Sequence, residues 1–200
     1  IEVCVSDNSS EDNTLLALAE IAAEFPELRL RYRSNERNLG FGTNLWNVID
    51  AGNVIVNFKL QNEGTSGTFK GNEAKIDFDE NNLSKSSVSA TVKVKTLSTE
   101  NKARDKHLLS SDFFDEEKFP TITFVSSSIT KSENGFLAKG KVTMKGKTDD
   151  ISVPFTLVTE NGKTSFKGSM NIKPSDFEVT KGNKFKDETV SVSVEIPIKK

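Results

Sequence analysis

From Val54 to the end of the chain, apolar and polar residues exchange places at every second position, run after run. The clearest stretch places Val190, Val192, Val194, Ile196 and Ile198 against Ser191, Ser193, Glu195, Pro197 and Lys199. Side chains of a β-strand point alternately to its two faces, so this pattern is a strand with one face buried and one in water. Val54, Val56, Phe58 and Leu60 repeat it, as do Ala74, Ile76 and Phe78, and then Val88, Ala90, Val92 and Val94. Four more runs follow Pro120: TITFVSSSIT, NGFLAKGKVTMKG, DDISVPFTLVTENG and KTSFKGSMNIK, most of them ended by Gly or Asn-Gly turn chemistry. Gly71 breaks its register, as a bulge does where a sheet must bend.

About eight strands joined mainly by short turns predict a mainly β fold, an up-and-down antiparallel barrel. Closure removes the edge that a long open sheet would expose. A barrel of this size holds its own side chains or one small ligand. Phe58, Phe69, Phe78, Val92, Phe124, Phe136, Met144, Phe155, Phe166 and Met170 fall on the inward faces and form the expected lining. Periodicity alone leaves a filled core and a lined tunnel both open. A filled barrel would go with a structural or interaction role, such as a homodimer.

One run interrupts the strands: RDKHLLSSDFFDEEKFPTITF, from Arg104 to Phe124. Thr99 to Leu109 reads as a helix capped by Thr99 or Asn101, and 112–118 as an acidic loop. His107 is the chain's one histidine and has no Ser or Cys nucleophile motif beside it, so no catalytic residue is expected. Arg104, Asp105 and His107 are expected to fasten the helix to the barrel by hydrogen bonds and an ion pair. Asp112, Asp115, Glu116 and Glu117 lack the alternating ligand spacing of a calcium loop, so no metal is expected. Phe113, Phe114 and Phe119 read as pins for the loop, or as part of a lid.

The first 45 residues differ. All four arginines other than Arg104 lie there and no lysine does, whereas all 22 lysines follow Trp46. Net charge is −4 before residue 46 and +2 after it. This predicts two pieces of different origin, residues 1–45 and residues 46–200. IEVCVSD reads as a strand, LLALAEIAAEF as a helix capped by Ser9 with Asp12 in capping-box position, and LRLRYR as a second strand, a small βαβ fragment. No run of about 18 apolar residues spans a membrane, and the near-neutral charge of −2 gives no case for nucleic acid. IEVCVSDNSSEDNT is not a signal peptide. Cys4, alone, makes no internal disulfide.

Two resemblances follow. VSDNSSEDNT and NERNLGFGTN are similar to parts of a family-2 glycosyltransferase of the GT-A type, which implies a base contact from Asp7 and a helix opened at Asn38 and Gly40. The first strand, the acidic metal motif and the acceptor half of such enzymes are missing, so activity is not expected; binding of a nucleotide-sugar is the alternative reading. The larger piece resembles the YceI-like family. Its opening has Trp46, Asp50, Val56 and Phe58 in the family's pattern, with one extra residue before Asp50 and Val54 where Ser is common. TENKARDKHL, SSDFFDEEKFPTITF and GKVTMKGKTDDISVPF match the family's middle.

The resemblance implies a lipocalin-like barrel, exported or periplasmic, that carries a polyisoprenoid or another long-chain amphiphilic lipid inside it, with no cofactor. It implies the tunnel rather than the filled core. A head group would sit at a barrel mouth, where Lys145 and Lys147 flank Gly146; from the residues alone the same two lysines read first as a solvated hairpin turn.

Overall fold

The computed structural model describes residues 3–7, 13–25, 30–34, 49–161 and 163–197. Eight strands close into one antiparallel barrel: β3 (Ile49–Leu60), β4 (Ser66–Asp77), β5 (Ser87–Lys93), β6 (Thr121–Ser132), β7 (Gly135–Met144), β8 (Lys147–Glu160), β9 (Lys163–Ile172) and β10 (Val190–Pro197). Each pairs with the next in sequence, and β10 returns to β3 from Val190 against Leu60 to Glu195 against Ile55. The alternation read from sequence survives as burial. Val54, Val56 and Leu60 are buried while Ile55, Asn57 and Lys59 are exposed.

The strand boundaries differ in two places. Val94 was expected in the third alternating run, but β5 stops at Lys93 and 94–96 form a 3-10 turn that still buries Val94. The helix expected from Thr99 begins at Lys102 and ends at Leu109 (α2). Asn101 is its cap, its Oδ1 accepting from the amides of Ala103 and Arg104 at 3.1 Å each. Thr99 is used otherwise, as described below.

The bulge expected at Gly71 is present. Gly71 has φ +66°, and the β3–β4 register shifts between Ala51 and Val56. The irregular backbone leaves groups that no ladder satisfies, and Asn72, fully buried, supplies the partners. Its Nδ2 donates to the carbonyls of Val54 (3.2 Å) and Phe69 (2.9 Å), and its Oδ1 accepts from the Lys93 amide (3.1 Å). One side chain thus stitches β3, β4 and β5. Asn72→Ala leaves two carbonyls and an amide buried without partners, and should cost roughly 2–4 kcal/mol in urea denaturation.

In the leading piece, β1 (Val3–Asp7) and β2 (Leu30–Ser34) pair in parallel around α1 (Thr14–Glu24), the strand–helix–strand order expected. The helix starts at Thr14 behind Asn13, which makes no side-chain capping bond. Ser9, Asp12, Asn38, Gly40 and Trp46 lie outside the described residues.

Candidate ligand chamber beneath a helical cap

The connections of the barrel divide by end. Those at 78–86, 132–135 and 160–163 meet at one end, and those at 60–66, 94–120, 144–147 and 172–190 meet at the other.

The first end is closed by phenylalanines. Phe78, just past β4 and 1% exposed, lies edge-on to Phe136, Phe155 and Phe166, at 4.8, 5.8 and 5.5 Å between ring centroids. Phe136 and Phe155 stack at 5.4 Å. Offset and edge-to-face pairs are the favourable arrangements of aromatic rings, so the plug is cohesive as well as apolar.

Above the plug the barrel is hollow. An inner chamber of about 160 Å³ is walled by side chains of β3 to β10, among them Val56, Ala90, Val92, Phe124, Val153 and Met170. An outer chamber of about 250 Å³ lies beyond it toward the second end. Phe58, Phe69, Ile122, Met144, Ile172 and Val192 line both, a collar drawn from six strands. Phe58 and Phe69 approach to 5.5 Å across it, and Phe114 meets Phe69 edge-on at 6.1 Å. Together the chambers stand at the lower end of the roughly 300–1,000 Å³ of small-molecule sites.

Of the ten residues expected to line the barrel, eight line the inner chamber: Phe58, Phe69, Val92, Phe124, Met144, Phe155, Phe166 and Met170. Phe78 and Phe136 do not; they form the plug beneath it. Alternation assigns a side chain to a face but not to a depth along the axis, so it could not separate wall from floor.

The outer chamber is roofed by α2, the loop that follows it and the 174–185 segment. Leu108, Phe113 and Phe114 come from the first two, and Pro174, Val179 and Phe185 from the last. Phe113, 1% exposed, packs on His107 at 5.0 Å and Phe185 at 5.4 Å. These residues were expected as loop pins, and they also form the roof. Phe119 instead abuts the β7–β8 hairpin. A Cβ on Gly146 would lie 2.9 Å from its ring, so a glycine is required there, at φ +75°.

Arg104, Asp105 and His107 do fasten the cap, but not to one another. Thr99 is the hub for the first two. Arg104 Nε donates to Thr99 Oγ1 (2.7 Å) and Nη2 to the Thr99 carbonyl (2.8 Å), while Asp105 accepts the Thr99 amide (2.8 Å) and hydroxyl. His107 reaches Asp112 at 2.9 Å, and Lys181 binds the same carboxylate oxygen. The two flaps of the cap are therefore clasped at Asp112. The Lys181 ammonium, and after it the His107 imidazole, hold the Asp112 carboxyl below its ordinary 3.8.

Because the folded value is lowered, the clasp's contribution is present above that pH and is lost as pH falls through the folded value. Asp112→Asn should melt below the wild-type protein at neutral pH. The gap should close in acid below 3.8, followed by near-ultraviolet circular dichroism of the cap aromatics.

Lys145 and Lys147 do not line either chamber. Lys145 donates to the Glu178 carbonyl (2.8 Å) and Lys147 pairs with the Glu178 carboxylate (3.0 Å). The cations on the outer chamber are Arg104, His107 when protonated, and Lys184, with Glu63 opposing them in sign. The sequence marks Arg104 and His107 as structural only, and Lys184 lies in a connection with no strand or helix periodicity to place it.

A closed eight-stranded antiparallel barrel, plugged at one end and capped at the other over an apolar interior, defines a lipocalin-like β-barrel. The YceI-like domain family matches residues 46–199, and the chain belongs to it. It is 31% identical over 153 residues to the UPF0312 protein plu2095 of Photorhabdus laumondii, covering 71% of this chain and 80% of that protein. It is 32% identical over 136 residues to protein YceI of Salmonella arizonae, covering 64% and 71%. Among solved structures, Burkholderia cenocepacia BcnA is similar at 28% identity and TM-score 0.67, over 73% of this chain and 96% of that one. A polyisoprenoid binding domain from Saccharophagus degradans shares the fold at 11% identity and TM-score 0.53, over 74% and 95%.

Proposed function

We infer that this protein is a carrier for a polyisoprenoid or another single-chain amphiphile, with the tail in the inner chamber and the polar end under the cap. The observation that carries the reading is the gradient along the barrel axis. Thr123 alone among the inner-chamber residues has a polar side chain, and ionisable groups first occur in the outer chamber. An amphiphile has the same gradient.

Magnitudes assign the affinity to the tail. Each buried methylene is worth about 0.8 kcal/mol, so the roughly six that a chamber of this size takes supply roughly 5 kcal/mol before the ordering costs of association. An exposed ion pair with a head group adds about 0–1 kcal/mol. In this reading the head group meets Arg104 and Lys184, which line the outer chamber, rather than Lys145 and Lys147, which do not. Family resemblance adds an exported location, and the chambers weigh against a filled barrel with a purely structural role.

Titration with a dansyl-labelled prenol tests the proposal. Saturable binding should be weakened no more than about twofold by removal of Lys145 and Lys147 together, as expected of surface charges. No saturable binding in the wild-type protein would overturn the carrier reading.

A further inference from the structure

The wall of the barrel is incomplete on one side. β8 pairs with β9 from Glu160 against Lys163 to Phe155 against Gly168, and the register stops there. Toward the capped end β8 continues to Lys147 paired to β7, and β9 continues to Ile172 paired to β10. Two strand edges of several residues thus face each other without a ladder between them.

The cause is written in the sequence. Pro154 has no amide hydrogen to give the next bond of the ladder, and prolines in sheets are confined to edges and bulges for that reason. The Pro154 carbonyl lies 3.3 Å from where a Cβ on Gly168 would sit, so its polar groups are turned toward β9. The interruption falls where the missing donor faces.

The residues beside the gap sort by side. Ile151, Val153, Met170 and Ile172 line the apolar chambers, whereas Ser152, Pro154, Ser169 and Asn171 are exposed on the outer surface. Met170, like Phe58 and Val192, belongs both to the inner chamber and to a groove of about 930 Å³ across the outer faces of β8, β9, β10, β3 and β4; of the three, it alone lies beside the gap. That groove is floored by small polar residues, Ser169, Ser191 and Ser193 among them.

The mouth, by contrast, is roofed and doubly fastened, through Thr99 and through Asp112. A chain entering there must open the clasp; one passing between β8 and β9 has no backbone ladder to break.

We propose that the gap between Ser152–Pro154 of β8 and Ser169–Asn171 of β9 is a lateral portal through which the hydrocarbon tail of the ligand enters and leaves the barrel. This rests on the carrier reading. A portal is a path and not a contact, so sealing it changes rates and leaves the equilibrium nearly untouched.

The test is a crosslink. In a Cys4→Ser background, Ser152→Cys with Asn171→Cys is joined by a bifunctional thiol reagent, and the same variant capped with a monofunctional reagent is the control. Stopped-flow uptake and release of a dansyl-labelled prenol are then compared. The portal predicts both rates at least tenfold slower in the joined protein, with Kd within about twofold. Equal rates overturn it. Absence of probe binding even in the capped control overturns the carrier reading itself, and the portal with it.

Amide exchange gives a reading that needs no crosslink. Ser152 and Asn171 should exchange much faster than Thr156 and Lys167, which sit in the intact ladder. Equal protection would show the wall closed.

Discussion

Ala90→Phe should abolish most ligand uptake while leaving the barrel folded. Ala90 sits on the inner face of β5, opposite Ala74 on one side and Phe124 on the other, and lines the inner chamber. A phenyl ring there projects into a space of about 160 Å³ and takes the volume that the tail would occupy. Overpacking a core costs about 1–3 kcal/mol, but here the added ring enters a void, so the low end is expected. Binding of a labelled prenol should fall at least tenfold in a fluorescence titration, with the far-ultraviolet circular dichroism unchanged. Unaltered affinity would mean that the ligand lies elsewhere.

The second large effect is on stability. Phe78→Ala removes the ring at the centre of the plug, which contacts three other phenylalanines. Truncations of buried Phe cost about 3–5 kcal/mol, part of it from the cavity left behind. In a protein of this size that corresponds to a melting temperature lower by roughly 6–20 °C. The new space is continuous with Phe155 and Phe166, which also line the inner chamber. The variant that survives should therefore accept longer tails than the wild type, seen as a shift in preferred chain length among a series of prenols. A small drop in melting temperature would instead mean that the remaining rings collapse into the gap.

The barrel was legible because its signal is local. Two-residue alternation fixes which side of each strand is buried, and Gly and Asn-Gly turns fix where strands end, so strand count and order follow from neighbours in sequence. Position along the barrel axis is not local. Phe78 and Phe155 look alike in sequence, yet one is floor and the other is wall, because depth depends on how eight tilted strands are staggered against one another.

The cap shows the same division. Asn101 as a helix cap is a matter of three residues. The clasp of Asp112 with Lys181 joins residues 69 apart, and no spacing rule connects them. The Arg104–Phe124 run identified the family through its order of rare residues. Its ionic groups bond to Thr99 and Asp112 within the same connection rather than to a barrel strand, while its aromatic groups Phe113 and Phe114 form part of the roof of the chamber. Pro154 carries a local signal of its own, for a proline inside an alternating run marks the place where a ladder ends.

The leading piece stands apart in the same way. Its alternation and helical spacing gave the parallel βαβ unit. Of the residues at helical spacing in LLALAEIAAEF, Leu18 and Ala22 are half-buried while Leu15 and Phe25 are exposed.

The most direct measurement is native mass spectrometry of the protein as purified from cells, followed by solvent extraction and analysis of whatever is released. A bound species with one long hydrocarbon chain is expected at one per barrel, lost on extraction and absent from Ala90→Phe. A wild-type protein that carries no amphiphile, and that takes up none when offered prenols of several lengths, would contradict it.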